Sequence, residues 1–380
     1  MPDAPRLRIL YCEPFATGSH EAFTRSLTAG LDADFTVLTL PGRSWKWRMR
    51  GAAAWFALEE RAALDRPHDL LFASSFLPLH ELLGLAPHLA GIPSILYFHE
   101  NQLAYPVRPE FAGERDFHFG FSQLLAATVA TVPVFNSRHN RDSFCTEAAR
   151  LLARLPDHVP RGLVEQVRRQ SLVLPLPLDL DALPPGDLGD LPPGPGRAAG
   201  PLILWNHRWE HDKDPDAFFR VLARLQQEGV PFRVAVCGEQ FAEKPPVFAR
   251  ARPELGARVV HWGHLPDRQA YARLLGQAQL ALSTAQHEFF GIAVLEATHC
   301  GARPLVPDRL AYPEHFPPAL RYADEADLLR QLGDLCRAWT AGDLDLRADR
   351  RELTAPYARD HVLPRYQELC QRLATRPPRT

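Results

Sequence analysis

The sequence predicts an α/β protein built from two Rossmann-like, doubly wound domains that face one another across a cleft, and three observations carry that expectation. Short apolar runs alternate with amphipathic or loop-like segments twice over, the pattern of parallel strands covered on both faces by crossover helices. A length of 380 residues exceeds what a single core usually supports. Between the two series, Pro184-Pro185-Gly186-Asp187-Leu188-Gly189-Asp190-Leu191-Pro192-Pro193-Gly194-Pro195-Gly196 is too rich in proline and glycine to join either core. The expected organisation is an N-terminal domain over 1–183, a linker over 184–200 and a C-terminal domain over 201–355. In the remainder, 356–380, a final helix of about Pro356 to Ala374 can cross back to the first domain.

The strands follow in order. In the first half they are expected at Leu7 to Cys12, Phe35 to Leu40, Asp69 to Ser74, Ser94 to Phe98, Thr131 to Asn136 and Leu172 to Leu176. In the second half they are expected at Leu202 to Asn206, Phe232 to Cys237, Arg258 to Trp262, Leu280 to Ser283 and Arg303 to Val306. Open α/β sheets bind ligands at the carboxyl ends of their strands, so candidate site residues are sought in the loops that follow them.

Composition narrows the function classes. A formal charge of −2 excludes a protein that coats nucleic acid with its whole surface, while leaving room for a local basic patch. The six cysteines, Cys12, Cys145, Cys237, Cys300, Cys336 and Cys370, show no paired spacing of metal or redox type. They are expected to be buried, reduced thiols of a cytosolic protein. Pro2-Asp3-Ala4-Pro5 leads straight into a strand without the regions of a signal peptide, and no stretch approaches a membrane span. A cytoplasmic protein without membrane attachment is the expectation; the residues leave the oligomeric state open.

Two loops of the second half carry the most chemistry. In His287-Glu288-Phe289-Phe290-Gly291-Ile292-Ala293-Val294-Leu295-Glu296, Glu288 is expected in a loop after a buried strand and Glu296 inside the helix that follows. Gly291 lets a ligand approach the backbone, the helix N-terminus suits a diphosphate, and the carboxylates can accept hydrogen bonds from sugar hydroxyls. In Trp205-Asn206-His207-Arg208-Trp209-Glu210-His211-Asp212-Lys213-Asp214-Pro215, Arg208 and Lys213 stand where the next helix begins. Arg208 would clamp diphosphate oxygens and Lys213 would stabilise the charge that develops as the leaving group departs. Ordinary ion pairs with Glu210 or Asp212 are the competing explanation for both cations.

The Arg208/Lys213 pair, the strand end Cys237-Gly238-Glu239, the turn Gly263-His264-Leu265 and the Glu-x7-Glu segment from Glu288 to Glu296 together resemble the retaining, metal-independent glycosyltransferases of the GT-B type. The resemblance spans nearly the whole chain. It implies donor binding by the C-terminal domain, with Arg208 and Lys213 on the diphosphate and the Gly291-Ile292 backbone meeting it too. Glu296 would bind the ribose and Glu288 the hydroxyls of the transferred sugar, with Gly238, His264 and Phe290 completing the donor set. Gly18-Ser19-His20, a turn after the first strand, would allow close approach of the donor phosphates, unless Gly18 is only a turn residue. Retention is then attributed to front-face attack within an oxocarbenium-like ion pair, so no second carboxylate is needed as nucleophile, unlike a retaining glycosidase. No Asp-x-Asp motif with a strand-end context is evident, so no catalytic metal and no other cofactor is expected.

Three blocks of the first half give a narrower resemblance. Tyr97-Phe98-His99-Glu100-Asn101-Gln102-Leu103-Ala104-Tyr105-Pro106, Lys46-Trp47-Arg48-Met49-Arg50-Gly51 and Phe135-Asn136-Ser137-Arg138-His139-Asn140-Arg141-Asp142-Ser143-Phe144 look like the tRNA-queuosine α-mannosyltransferase family. That family implies transfer of mannose from GDP-mannose to the cyclopentenediol of queuosine in the anticodon of a tRNA of the aspartate type. His99 would join Glu288, Lys213 and Arg208 in the catalytic set, and also meet the acceptor with Glu100, Asn101, Gln102, Tyr105, Asn136, Ser137 and Asn140. From the residues themselves, a polar cluster at a strand's end is a site candidate by position, with a polar loop satisfying its own backbone as the competing reading. Arg43, Lys46, Arg48 and Arg50 interleave with Trp45 and Trp47, giving cations for phosphates and flat rings for an unstacked base, and Arg138 and Arg141 can extend the patch. The competing reading sends those tryptophans into the core. Two other functions compete: a retaining glycosyltransferase with another nucleotide sugar and a lipid, metabolite or polysaccharide acceptor, and a nucleotide-sugar- or RNA-binding module without turnover.

Overall fold

The computed structural model describes residues 6–106, 116–183, 196–240 and 244–375. The chain forms two compact units, one running to Pro177 and resuming at Arg359, the other spanning Leu178–Ala358. Each carries one six-stranded parallel sheet.

In the first unit the strands are β1 (Leu7–Ala16), β2 (Ala33–Pro41), β3 (Leu70–Ser74), β4 (Ser94–Phe98), β5 (Val132–Phe135) and β6 (Leu172–Val173). Their order is β2-β1-β3-β4-β5-β6, so the chain reverses its direction of travel between β1 and β3 and leaves a crevice at the carboxyl ends of those two strands. Every side chain of β3 and β4 is buried, as central strands covered on both faces require. β1 runs four residues past the expected Cys12, through Pro14, because a register shift between Glu13 and Ala16 removes the need for regular ladder bonds there. β6 stops at Val173 rather than Leu176, and Pro175 and Pro177, which lack backbone donors, lie just beyond it. The helix Arg359–Ala374 belongs to this unit: its Tyr366 hydroxyl donates to the carbonyls of Leu174 and Pro175 at 3.3 and 3.1 Å.

The second unit carries β7 (Leu202–Asn206), β8 (Arg233–Cys237), β9 (Val259–Gly263), β10 (Leu280–Leu282), β11 (Arg303–Pro307) and β12 (Arg321–Tyr322). The order β12-β11-β10-β7-β8-β9 places its switch point between β7 and β10. β12 was not expected from the sequence, since a two-residue edge strand has no periodicity to read. The core is aromatic-rich, with Trp205, Trp209, Phe218 and Phe248 packed together.

The expected linker needs correction at both ends. Residues 184–195 lie outside the described residues, but Gly196–Gly200 fold into the second unit, where Arg197 donates to the Trp339 carbonyl at 2.7 Å and stacks over its ring. The passage between units comes earlier, at Pro177, because Leu178 pairs with Ala358 and donates its N–H to the Tyr357 carbonyl at 2.8 Å. All six cysteines are buried free thiols, and burial pushes their pKa values up, to about 11 for Cys237 and about 12 for Cys300, Cys336 and Cys370. Among the described residues no helix is long and apolar enough to cross a membrane.

Candidate active site

At the switch point of the second sheet, the loops after β7 and β10 are laced together. Gln286 and His287 donate backbone N–H groups to the Asp212 carbonyl at 2.8 and 3.2 Å, and the Thr284 hydroxyl donates to the carbonyls of Lys213 and Asp214. Asp214, at φ +48°, caps the helix Pro215–Gln227 by accepting from the Ala217 N–H, and Pro215 fits the first helical position. The loop conformation therefore follows from a local helix cap together with hydrogen bonds from the loop after β10. Its consequence is the placement of Lys213.

Lys213 is 7% exposed, and its ammonium lies 2.7 Å from the His287 carbonyl, 3.1 Å from Asp212 Oδ2 and 3.3 Å from Glu288 Oε2. Glu288 uses its other oxygen on the helix Ile292–His299, accepting from the N–H groups of Gly291 at 3.0 Å and Phe290 at 3.3 Å. Gly291 sits at φ +91°, where a Cβ would also meet the Tyr312 ring at 3.1 Å, so glycine is required for two reasons. Burial alone would raise the Glu288 pKa, but the Lys213 charge and the backbone donors outweigh it and hold the carboxyl at about 2. Burial, then Lys213, pushes the neighbouring His207 imidazole down to about 4. The site thus combines a fixed cation, a fixed anion and a helix N-terminus beside a neutral histidine.

The remaining donor residues fall into distinct settings. Glu296 accepts from Arg268 at 2.8 Å and from the Tyr271 hydroxyl at 2.9 Å, and Asn206 at the end of β7 donates to that hydroxyl. Arg208 is half-exposed and pairs with Glu210 at 3.1 Å, the surface ion pair that competed for it in the sequence. Phe290 is buried edge-to-face against His315 and Tyr357, Ile292 is half-buried at the start of its helix and His264 is exposed after β9. Gly238 has a structural reason of its own: a Cβ there would lie 1.8 Å from the His207 carbonyl oxygen. Gly238→Ala is expected to cost about 3 kcal/mol, the upper end for overpacking. A urea unfolding midpoint equal to that of the wild type would refute it. Gly18, at φ +53°, and Ser19 open the helix Gly18–Gly30 of the first unit, whereas the other donor candidates lie in the second. Arg268 and Tyr271 had no assigned role from sequence, whereas Asp212 pairs with Lys213 at 3.1 Å, the ion pair that competed for that cation.

In the first unit, the loop after β4 and the start of the helix Arg138–Leu152 close a polar network. Asn101 donates to Asn140 Oδ1 at 2.8 Å, Asn140 to Asn136 Oδ1 at 2.9 Å and to the Phe98 carbonyl at 3.1 Å, and Asn136 to the His99 carbonyl at 2.7 Å. Ser137 caps the helix by accepting from the Asn140 N–H, and Asn101 Oδ1 accepts from the Ala104 N–H. These four buried residues hold the loop in shape, the backbone-satisfying role that competed for them, and what they present is His99. His99 is 6% exposed, and both its ring nitrogens are buried and without a hydrogen-bond partner among the described residues. Burial, and secondarily His20, holds the His99 pKa well below the usual histidine range. Glu100, Gln102 and Tyr105 are half-buried on the same loop, Gln102 donating to Glu100 at 3.4 Å.

The basic-aromatic helix Trp45–Glu59 divides its tryptophans. Trp45 packs on Phe119, with ring centroids 5.2 Å apart, while Trp47 is 64% exposed and Lys46 is exposed with its ammonium 5.8 Å from the Trp45 ring centroid. Arg48 donates to the Pro41 carbonyl at 3.2 Å, and Arg50 pairs with Asp116 at 2.6 Å above the Phe119 ring. Arg138 is exposed and Arg141 pairs with Asp142. Each competing reading thus takes one tryptophan.

Among the described residues, one group of three has donor atoms close enough to suggest a metal: Glu13, His20 and His99, within 4.8 Å of one another. The His20 and His99 rings, however, are face-stacked at 4.0 Å and 26°. Imidazole lone pairs lie in the ring plane, so nearly parallel rings direct them side by side rather than at one ion.

Residues 8–178 match the family described as tRNA-queuosine alpha-mannosyltransferase N-terminal, and residues 197–318 match glycosyl transferases group 1. The chain is 38% identical over 336 residues to the tRNA-queuosine alpha-mannosyltransferase of Drosophila melanogaster, covering 87% of this chain and 87% of that one. A GDP-mannose-dependent alpha-(1-6)-phosphatidylinositol dimannoside mannosyltransferase of Mycobacterium tuberculosis is 36% identical over 106 residues, 28% of this chain and 26% of its own. Among solved structures, sucrose-phosphate synthase from Thermosynechococcus elongatus superimposes with a TM-score of 0.70 at 14% identity, covering 97% of this chain and 99% of that one. A glycosyltransferase from Rickettsia africae gives 0.67 at 13% identity, over 98% and 100% of the two chains. These structural likenesses establish the GT-B fold alone. Two parallel sheets of that fold, a buried lysine–glutamate pair at a switch point and extended identity to a named enzyme lead to one conclusion: the chain is a glycosyltransferase and belongs to the tRNA-queuosine alpha-mannosyltransferase family.

Proposed function

We propose that the protein transfers mannose from GDP-mannose, with retention of configuration, to the cyclopentenediol of queuosine in a tRNA anticodon. The observation that carries the reading is the Lys213–Glu288 pair at the β7/β10 switch point, held in a chain 38% identical to a tRNA-queuosine alpha-mannosyltransferase. GDP-mannose is supported by the names of two partial relatives, the mycobacterial one above and a GDP-mannose:cellobiosyl-diphosphopolyprenol alpha-mannosyltransferase of Xanthomonas campestris. In this reading the diphosphate takes Lys213 from its carboxylates, Arg208 leaves Glu210 for the same oxygens and the Gly291-Ile292 backbone completes the cradle. Glu288 is then released to accept from sugar hydroxyls, and Glu296 from the ribose. The anomeric carbon–oxygen bond to the diphosphate breaks as the acceptor oxygen bonds to the same face, and the acceptor proton passes to the departing diphosphate. Lys213 stabilises the charge that develops there, and the reading assigns no metal to the step. His99 meets a hydroxyl in the first unit, with Glu100, Gln102 and Tyr105 beside it. The reading places the enzyme in the cytoplasm, where its tRNA acceptor is found.

Incubation with GDP-mannose and queuosine-containing tRNA, followed by mass analysis of digested nucleosides, tests this directly. The expected product is a queuosine heavier by one hexose. Its absence, with hydrolysis of a different nucleotide sugar, would overturn both donor and acceptor. The exposed Trp47 and Lys46 support an RNA contact on the helix Trp45–Glu59, and Arg50 also lines a cavity of about 410 Å³ with Met49, His80 and Phe119. Neutralising Lys46, Arg48 and Arg50 together is expected to weaken tRNA binding and lower the slope of log affinity against log salt by about 2, because Arg50 is already paired to Asp116. An unchanged slope in filter-binding titrations would move the RNA surface elsewhere.

A further inference from the structure

Glu13 and His20 form, with His99, a buried cluster at the switch point of the first sheet, and the reaction as described uses only His99. Glu13 lies at the end of the regular β1 register and is fully buried. Its Oε1 accepts from the Phe15 N–H at 2.9 Å and from the Ser74 hydroxyl at the end of β3, also at 2.9 Å. Its Oε2 lies 3.1 Å from His20 Nδ1. An ionised carboxylate can only accept, so Nδ1 carries the hydrogen and the ring is set in one orientation. The His20 ring then forms a wall 4.0 Å from His99. Phe23 and Tyr97 hold His99 on other sides, edge-to-face at 4.9 and 4.8 Å.

Among the described residues no side-chain hydrogen bond fixes the His99 ring, because both its nitrogens lack partners there. Packing alone orients it, and of its neighbours His20 is the one anchored by a buried charge. Two buried nitrogens without partners are costly to maintain, and a ligand that supplies hydroxyl groups removes that cost.

We propose that Glu13 and His20 are positioning residues for the transfer: Glu13 locks His20, and the stacked His20 ring fixes the His99 imidazole so that its unpaired nitrogens meet a hydroxyl of the bound substrate. The inference rests on the reading in which His99 contacts substrate. Burial keeps the His99 imidazole neutral, so it offers one donor and one acceptor rather than two donors.

Glu13→Gln tests it in the full-length protein. The amide keeps the volume and can keep Oε1 facing Phe15 and Ser74, but turns a donor toward His20, so Nδ1 must become the acceptor. Nitrogen-15 NMR of the histidine-labelled, ligand-free protein is expected to show His20 Nδ1, which carries a hydrogen in the wild type, becoming an acceptor nitrogen. The kcat is expected to fall on the order of 10–100-fold, the scale of a small misplacement at a reacting group, with GDP affinity unchanged. Ser74→Ala, which removes one of the bonds to Glu13 and leaves the charge in place, is expected to lower kcat in the same direction by less. A folded Glu13→Gln protein with wild-type kcat, or with the His20 tautomer unmoved, would overturn the proposal. So would stoichiometric zinc binding that Glu13→Gln abolishes, since an ion would then hold both rings. If the wild type transfers nothing to queuosine-containing tRNA, the acceptor reading fails separately; the tautomer arm needs no acceptor, and the kcat arm is then read on hydrolysis of GDP-mannose.

Discussion

Lys213→Ala is expected to lower transfer on the order of 10²–10³-fold, the scale of removing one preorganised group that stabilises developing charge. The effect should fall mainly on kcat, because in the proposed mechanism the ammonium acts most strongly as the diphosphate departs. The same substitution carries a second cost. Lys213 lies 3.1 Å from Asp212 and 3.3 Å from Glu288, and its removal leaves two carboxylates facing each other across a largely buried space. A loss of about 3 kcal/mol is expected, at the low end for breaking a buried pair because Glu288 keeps 18% of its side chain exposed. Steady-state kinetics beside a urea unfolding curve separate the two effects, and wild-type turnover would remove Lys213 from the mechanism.

The wild-type pair also predicts a pH dependence of stability. The Glu288 pKa falls from an ordinary 4.5 to about 2 in the folded protein, so its contribution is fully present above pH 4.5. It is lost as pH falls from there through about 2, where the folded form also protonates. Lys213→Ala removes the charge that depresses this pKa. The variant is therefore expected to show a shallower loss of stability over that window, as measured by unfolding midpoints at stepped pH.

Glu288→Gln is the second large effect, again expected on the order of 10²–10³-fold in kcat. The amide oxygen can still accept from the Gly291 and Phe290 N–H groups, so the start of the helix Ile292–His299 is preserved. What is lost is the negative charge paired with Lys213 and the strong acceptor proposed for sugar hydroxyls. Near-wild-type circular dichroism with collapsed turnover is the expected result. Near-wild-type turnover would reduce Glu288 to a helix cap, which its geometry by itself also satisfies.

The two halves of the chain differed in how far their sites were legible. The Glu288–Glu296 segment is local: strand, glycine and helix follow within a few residues, and each constrains backbone in a way that residue type reveals. Lys213 was legible for the same reason, placed by an Asp-Pro helix start directly after it. Gly238, in contrast, read as a donor glycine, and only the 1.8 Å approach of the His207 carbonyl shows why a side chain is excluded. Asn101, Asn136, Ser137 and Asn140 drew attention as hydroxyl partners, yet their polar atoms close on one another across two loops. Polarity alone does not say whether a donor is already spent.

By itself the sequence determined the fold class, nearly all the strands and the positions of the loops that hold the candidate site, because burial on both faces of a parallel sheet writes itself as continuous apolar runs, and turns and caps write themselves as glycine, proline and aspartate. Tertiary structure decided where the chain passes between units, which tryptophan of the helix Trp45–Glu59 faces solvent, and which cation is buried between carboxylates and which sits on the surface. It also decided the grouping of Glu13, His20 and His99, which come from β1, the helix after it and the loop after β4. The physical reason is range. Periodicity and capping depend on neighbours within a few residues, whereas ion pairs, stacked rings and excluded Cβ atoms depend on segments that only sheet order brings together.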